Sequence, residues 1–203
     1  MHDFAEPDYG KSEGDSRRFR EQGNNFFKVG KDEEAIEKFN KAVMKGPVNE
    51  NKKGRDFSLA LANRSAALMR IGLLEAALED VDLALESGYP KDLRYKLFER
   101  KIKLSANLKK NQIAFKTRSD FILSLKDCSL DDKKKCSLEN EIQDLLEKLE
   151  RNEFDCTMKN IEEPVKTIFK HDLGKSHSFL PCLSENVDIE YDPQRGRFAV
   201  ASK

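Results

Sequence analysis

The sequence predicts an all-α fold, a stack of helical pairs wound as an α–α superhelix, with a short C-terminal β-hairpin. Three observations carry this. Between Ser16 and Leu125 apolar residues recur at three- and four-residue intervals, in blocks of roughly a dozen separated by breakers. The chain also superposes on itself at an offset of 42 residues. Near the C-terminus, Val187, Ile189 and Tyr191 alternate with Asp188, Glu190 and Asp192. Pro193 to Gly196 then supply turn chemistry, and Arg197 to Ala201 read as a second strand.

Each segment follows in order. Residues 1–15 are polar, carry Gly10 and Gly14 and show no period, so a disordered lead-in is expected. Residues 16–126 hold three helical pairs, broken at Gly30-Lys31, Gly46 to Asp56, Gly72, Gly88-Tyr89-Pro90 and Lys109 to Asn111. A polar gap, Asp127 to Lys135, contains the basic run Lys133 to Lys135, read as a solvated linker rather than a nuclear-import or nucleic-acid patch. A capping helix follows over 136–152, with Ile142, Leu145, Leu146 and Leu149 on one face. Residues 153–186 hold Pro164, Gly174 and Pro181 without a period and read as a linker. The hairpin occupies 187–203.

Composition narrows the function classes. Charged residues make up 36% of the 203 and apolar ones 38%, too few for one thick core, which favours a thin, extended architecture. The 37 basic and 37 acidic residues cancel, removing the footprint of a dedicated nucleic-acid binder. No apolar run reaches bilayer length, and Met1 to Asp8 lack the basic-then-apolar order of a signal peptide. A cytoplasmic protein is expected, the nucleus remaining open as a second compartment, with no membrane or nucleic-acid partner. Cys128, Cys136, Cys156 and Cys182 form no Cys-x-x-Cys pair, and His2, His171 and His177 complete no zinc spacing, so reduced thiols are expected.

The 42-residue offset places Phe19 on Leu61, Gly23 on Ser65, Phe26 on Leu68, Gly30 on Gly72, Ala35 on Ala77, Phe39 on Val81 and Ala42 on Ala84. The small residues fall where paired helices must approach closely, larger apolar ones fill the neighbouring holes, and the turn glycine reverses the chain. Pro47 and Pro90 end the second helix of each pair. A third unit follows at an offset of 37, placing Leu61 on Phe98, Asn63 on Arg100 and Ala77 on Ala114. It is degenerate, since Ile102 and Lys109 occupy the small-residue and turn-glycine places. These residues resemble the tetratricopeptide-repeat family, whose period is about 34. The eight further residues of this chain's offset are then assigned to the Gly46 to Asp56 connection. The 136–152 helix would cover the last exposed face.

The resemblance implies that the first helix of each pair lines a concave surface. There, Arg20, Asn24, Asn63, Lys96 and Arg100 match the dicarboxylate clamp of chaperone-binding members, which grips the terminal aspartate of heat-shock chaperones. Arg20 stands where that family usually has lysine. The chemistry is coherent. Two carboxylates meet charge-assisted donors, and amides donate without adding repulsion among the cations. Two other readings of this face stay open: another peptide or protein surface, and a solvated helix face without a ligand.

The run Gly88-Tyr89-Pro90-Lys91-Asp92-Leu93-Arg94-Tyr95-Lys96-Leu97-Phe98-Glu99-Arg100, after Ala62-Asn63-Arg64-Ser65-Ala66-Ala67-Leu68, resembles the amino-terminal region of SET and MYND domain-containing proteins. The 187–201 segment is similar to the opening hairpin of a SET domain, the alternative being an incidental strand pair that covers the stack. This implies a parent of the S-adenosylmethionine-dependent protein-lysine methyltransferase family, with that cofactor and zinc expected only in the longer protein. For this chain no cofactor, metal or catalytic residue is expected, because it carries no Walker loop, dinucleotide fingerprint or nucleophile elbow. An amino-terminal portion, short isoform or truncated gene model is expected, the alternative being a stand-alone co-chaperone-like adaptor.

Overall fold

Paired helices can approach closely only over residues small enough to let them, and the packing of this chain begins at those places. The structure, a computed structural model, describes residues 11–49, 52–158, 160, 187–192 and 196–201. The chain divides into a helical unit, Gly10–Glu162, and a second unit that holds the C-terminal strands.

In the helical unit, α1 (Glu13–Lys28) pairs with α2 (Asp32–Lys45), α3 (Arg55–Arg70) with α4 (Leu74–Glu86), and α5 (Arg94–Asn107) with α6 (Asn111–Lys126). Successive pairs pack through α2 on α3 and α4 on α5, and α7 (Asp132–Glu150) closes the array against α6 and α5. This is the all-helical repeat stack the periodicity predicts. Ala35, Phe39, Ala42, Leu61, Ala77, Val81 and Ala84, all members of the 42-residue alignment, are completely buried.

Gly23 shows why the small position is required. A Cβ placed on it would lie 2.5 Å from a ring carbon of Phe39, which α2 pushes into that gap. Gly30 and Gly72 turn the chain at φ 77° and 86°, the left-handed region that disfavours a side chain. The third unit lacks this glycine, and Lys109 takes the same conformation at φ 58°. The repeat geometry therefore persists where its usual residue does not, at a cost in backbone strain.

Three boundaries differ from those expected. The composition predicts a lead-in over 1–15, but α1 starts at Glu13, because Ser12 caps it by accepting a hydrogen bond from the Asp15 amide at 3.2 Å. The capping helix starts at Asp132 rather than 136, and it ends at Glu150. The Asp131 side chain accepts from the Lys134 amide at 2.8 Å, so the basic run 133–135 lies inside the helix and not in a gap. That hydrogen bond from the backbone holds the Asp131 carboxyl below its usual range. The Gly46 to Asp56 connection contains a small antiparallel pair, β1 (Val48–Asn49) and β2 (Lys52–Lys53).

Beyond α7, Asn152 reverses the chain at φ 56°. Residues 153–158, expected to open a linker, return to α5. The Met158 amide donates to Asn107 Oδ1 at 3.0 Å, and Phe154 packs on the core formed by Ile102, Phe121, Ile142 and Leu146. The rest of the expected lead-in (1–10) and most of the linker (161–186) lie outside the described residues. In the second unit, the backbone of β3 (Val187–Asp192) pairs antiparallel with β4 (Gly196–Ala201), from Val187 opposite Ala201 to Asp192 opposite Gly196.

Two substitutions test this account in opposite directions. Gly23→Ala should lose about 1–3 kcal/mol because Phe39 must move. Lys109→Gly should gain roughly 0.5–1 kcal/mol by relieving the left-handed backbone. Urea denaturation with an unchanged slope reads both.

Candidate functional site

Helices α1, α3 and α5, the first of each pair, are joined by polar contacts rather than by apolar packing alone. Asn63 Nδ2 on α3 donates to Asn24 Oδ1 on α1 at 2.7 Å. Arg100 on α5 reaches α3, where its Nη1 donates to the Ala62 carbonyl at 2.6 Å and to Ser65 Oγ at 2.7 Å. Arg20 on α1 also reaches α3, and its Nη2 donates to Asp56 Oδ1 at 3.1 Å. Arg17 Nη2 donates to the other oxygen of the same carboxylate at 3.2 Å. The four-residue spacings Arg20/Asn24 and Lys96/Arg100 place each pair on one helix face.

The five residues expected to act together thus fall into three states. Asn24 and Asn63 are joined to each other. Arg20 is joined to Asp56, whose side chain is only 5% exposed. Lys96 and Arg100 remain without a carboxylate in ion-pair contact among the described residues, although Arg17, Arg20, Arg64, Arg70, Lys101, Lys103 and Lys110 all have one. Lys96 is exposed and its ammonium stands 5.8 Å from the Tyr95 ring centroid.

Lys96 and Arg100 open onto a cleft of about 610 Å³ between α5 and α7. Tyr95, Met69, Leu130 and Leu138 give it apolar wall, and Glu99, Lys103 and Lys134 its polar rim. Lys103 is spoken for: it donates to Glu99 and to Glu141, each at 2.7 Å. Burial alone would lower its pKa, but the bonds to the two carboxylates outweigh that and hold the ammonium above its usual value. Arg100 shows the opposite balance. Burial pushes its guanidinium below the usual value, with only the more distant Tyr89 and Glu99 opposing. Burial likewise raises the Tyr89 hydroxyl, while Arg100 and Arg20 both lie near enough to oppose the rise. An arginine partly withdrawn from water, with no carboxylate in ion-pair contact among the described residues, carries a desolvation cost that an incoming anion would offset.

Sequence reasoning missed Asp56, Tyr89, and the wall contributed by Met69, Leu130 and α7. Asp56 is counted in the inserted connection but lies in the first turn of α3, and its counterpart at the 42-residue offset, Gly14, carries no side chain. Tyr89 sits in a segment read as a breaker and as part of the resemblance, neither of which marks its hydroxyl as part of the site. The α7 wall depends on a helix start whose first turn carries no apolar period.

The orientation of α3 is set from its other side. Arg64 grips Asp80 on α4 through Nε and Nη2 at 2.7 and 2.6 Å and reaches Asn40 on α2 through Nη1 at 2.8 Å. Three helices are thereby fixed about Asn63, the residue before Arg64.

Comparison with known proteins places this geometry. No family model matches the chain. Among curated proteins it is similar to protein-lysine N-methyltransferase SMYD4 of Mus musculus, 31% identical over 91% of this chain and 23% of that protein. The Homo sapiens protein of the same name is 30% identical, again over 91% of this chain and 22% of its own length. That of Danio rerio is 40% identical over 49% of this chain and 13% of its own. The chain thus spans about a quarter or less of these relatives. Among solved structures, the first tetratricopeptide domain of Spaghetti (RPAP3), bound to the HSP90 peptide SRMEEVD, superposes with a TM-score of 0.52 at 21% identity. It covers 68% of this chain and 98% of that one. The Sgt2 tetratricopeptide domain from Aspergillus fumigatus gives 0.54 at 18% identity, over 79% and 97%. The helical unit has the tetratricopeptide-repeat fold, and the resemblance to SET and MYND domain-containing proteins stands.

If Arg64 fixes α3, then Arg64→Ala should cost about 3–5 kcal/mol, because Asp80 is left buried and unpaired. Replacing both partners with apolar residues of similar size should cost much less. Chemical denaturation of the single and double variants decides this.

Proposed function

We propose that the helical unit is a peptide-binding module that takes the free carboxyl terminus of a partner protein, a heat-shock chaperone tail ending in acidic residues being the ligand class. One observation carries the reading: Lys96 and Arg100 share a helix face, border a cleft, and have no carboxylate in ion-pair contact among the described residues, whereas Arg20 on the same face and Lys103 on the rim of the cleft each have one. The linked Asn24 and Asn63 amides continue the polar face from α3 to α1. Further support comes from the ligand class of structural neighbours, the SRMEEVD complex above and the complex of yeast Sti1 with pHSP90, whose TM-score is 0.51 at 22% identity.

The same proposal places the module within a protein-lysine methyltransferase, where it would recruit or orient substrate. The curated names of the sequence relatives support this. The backbone pairing of β3 with β4 accords with its reading as the opening of a SET sheet. Two strands alone do not enclose a cofactor, so methyl transfer is assigned to the longer parent and no step is assigned here. The competing reading, an adaptor without an enzyme domain, is separated from this one by reading the transcript beyond the codon for Lys203.

Fluorescence anisotropy with the peptide Ser-Arg-Met-Glu-Glu-Val-Asp tests the ligand class. The free acid should bind, and its carboxyl-amidated form at least about tenfold more weakly. Lys96→Ala and Arg100→Met should weaken binding roughly 10- to 150-fold, the equivalent of one charge-assisted hydrogen bond. Lys116→Ala, on the outer face of α6, should change little. Added salt should weaken the wild-type complex. Equal affinity for the two peptides would sink the reading.

In calorimetry, this chain by itself should show no micromolar affinity for S-adenosylmethionine. Such affinity would mean that the tail builds a cofactor pocket of its own.

A further inference from the structure

Asp56 is nearly inaccessible to solvent, 4% exposed, and sits in the first turn of α3, where the helix dipole favours a carboxylate. It faces two arginines of α1. Arg20 and Arg17 each donate one Nη2 to a different oxygen, at 3.1 and 3.2 Å. Arg20 is the cation that would complete a two-ended grip with Lys96 and Arg100, yet its guanidinium is already turned to an internal anion. Its Nε is buried with no hydrogen-bond partner among the described residues, and the hydrogen bond it does make runs from Nη2 to Asp56.

We propose that Asp56 determines the specificity of this face by acting as a built-in carboxylate ligand of Arg20, so that an incoming carboxylate is taken at the α5 end alone. The inference rests on the carboxylate-binding reading above and adds to it where on the face the charge is read. Two arguments favour it. An intramolecular carboxylate competes at high effective concentration, so a peptide must displace a partner that never diffuses away. Displacement would also leave Asp56, buried, with Arg17 alone, and an undercompensated buried charge is costly. At Lys96 and Arg100 no such competitor exists among the described residues. The approach to the face is therefore asymmetric. One end is self-satisfied, the other open.

The experiment is a mutant cycle read by anisotropy with the Ser-Arg-Met-Glu-Glu-Val-Asp probe, in free-acid and amidated forms. Arg20→Ala should leave the free-acid affinity within roughly twofold of wild type, because that guanidinium is not offered to the ligand. Asp56→Asn, which keeps the shape and removes the charge, should tighten binding about tenfold, the lower value for one charge-assisted hydrogen bond. The gain should vanish in the Asp56→Asn/Arg20→Ala double variant. A loss of tenfold or more in Arg20→Ala would overturn it, as would an Asp56→Asn protein that melts like wild type and gains nothing. Should Asp56→Asn fail to fold, Arg20→Ala decides alone, since Arg17 still holds Asp56 in that variant. Failure of the underlying reading looks different: the free-acid and amidated probes then bind alike in every variant, and both inferences fall together.

Discussion

A helix can settle against its partner at short range only where one of the two has no side chain in the way, and this chain is built around that constraint. At Gly23 the α2 ring of Phe39 fills the space a side chain would take, and buried Ser65 occupies the corresponding place in the second pair. Once the approach distance is set, small residues are favoured along the rest of the seam, and Ala35, Ala42, Ala77 and Ala84 are completely buried. Each pair still leaves an apolar face that only a neighbour can cover, so the pairs stack and α7 covers the last.

Stacking brings the first helices of the pairs alongside one another and turns their polar residues into a connected surface. The surface is not uniform. Its α1 side is internally neutralised by Asp56, its middle is an amide pair, and its α5 side carries the cations left over. A sequence match to a clamp registers five residues of the right type, but the chemistry available to a ligand depends on which of them the protein has already engaged. Arg100 illustrates the difference. It supports the fold by donating to α3 and still retains uncompensated charge beside the cleft.

Much of the helical stack was legible because packing imposes a spacing and spacing is visible in one dimension. The coincidence of Gly23 with Ser65 and of Gly30 with Gly72 marks the first two pairs, and Ala114, aligned with Ala77, lies in α6 of the third. Helix starts were less legible. Ser12 and Asp131 act through a single capping bond, and the turns they open are polar, so no period announces them. For the candidate site, the sequence supplied residue types and helix faces. It did not supply pairing, because Asp56 lies 36 residues from Arg20 and its repeat counterpart, Gly14, has no side chain that would mark the position.

The contacts that join the first pair to the second have a bearing on how the array comes apart. Linear arrays of repeats tend to fray from an end, one unit at a time, because a terminal unit has a single neighbour. Here the terminal pair is clipped along its length. Arg17 and Arg20 hold it near the start of α3, and Asn24 holds it at the middle. At the far end Arg70 engages Asp32 and the Phe27 carbonyl while its guanidinium stacks 3.7 Å from the centroid of the Phe27 ring. Peeling from either tip of α1 strains the fastening at the other, so the first pair is released as a block with the second rather than ahead of it. Amide exchange in α1 and α2 would then proceed through the same opening event as α3, and the end of the array would behave cooperatively where a simpler repeat protein would unravel.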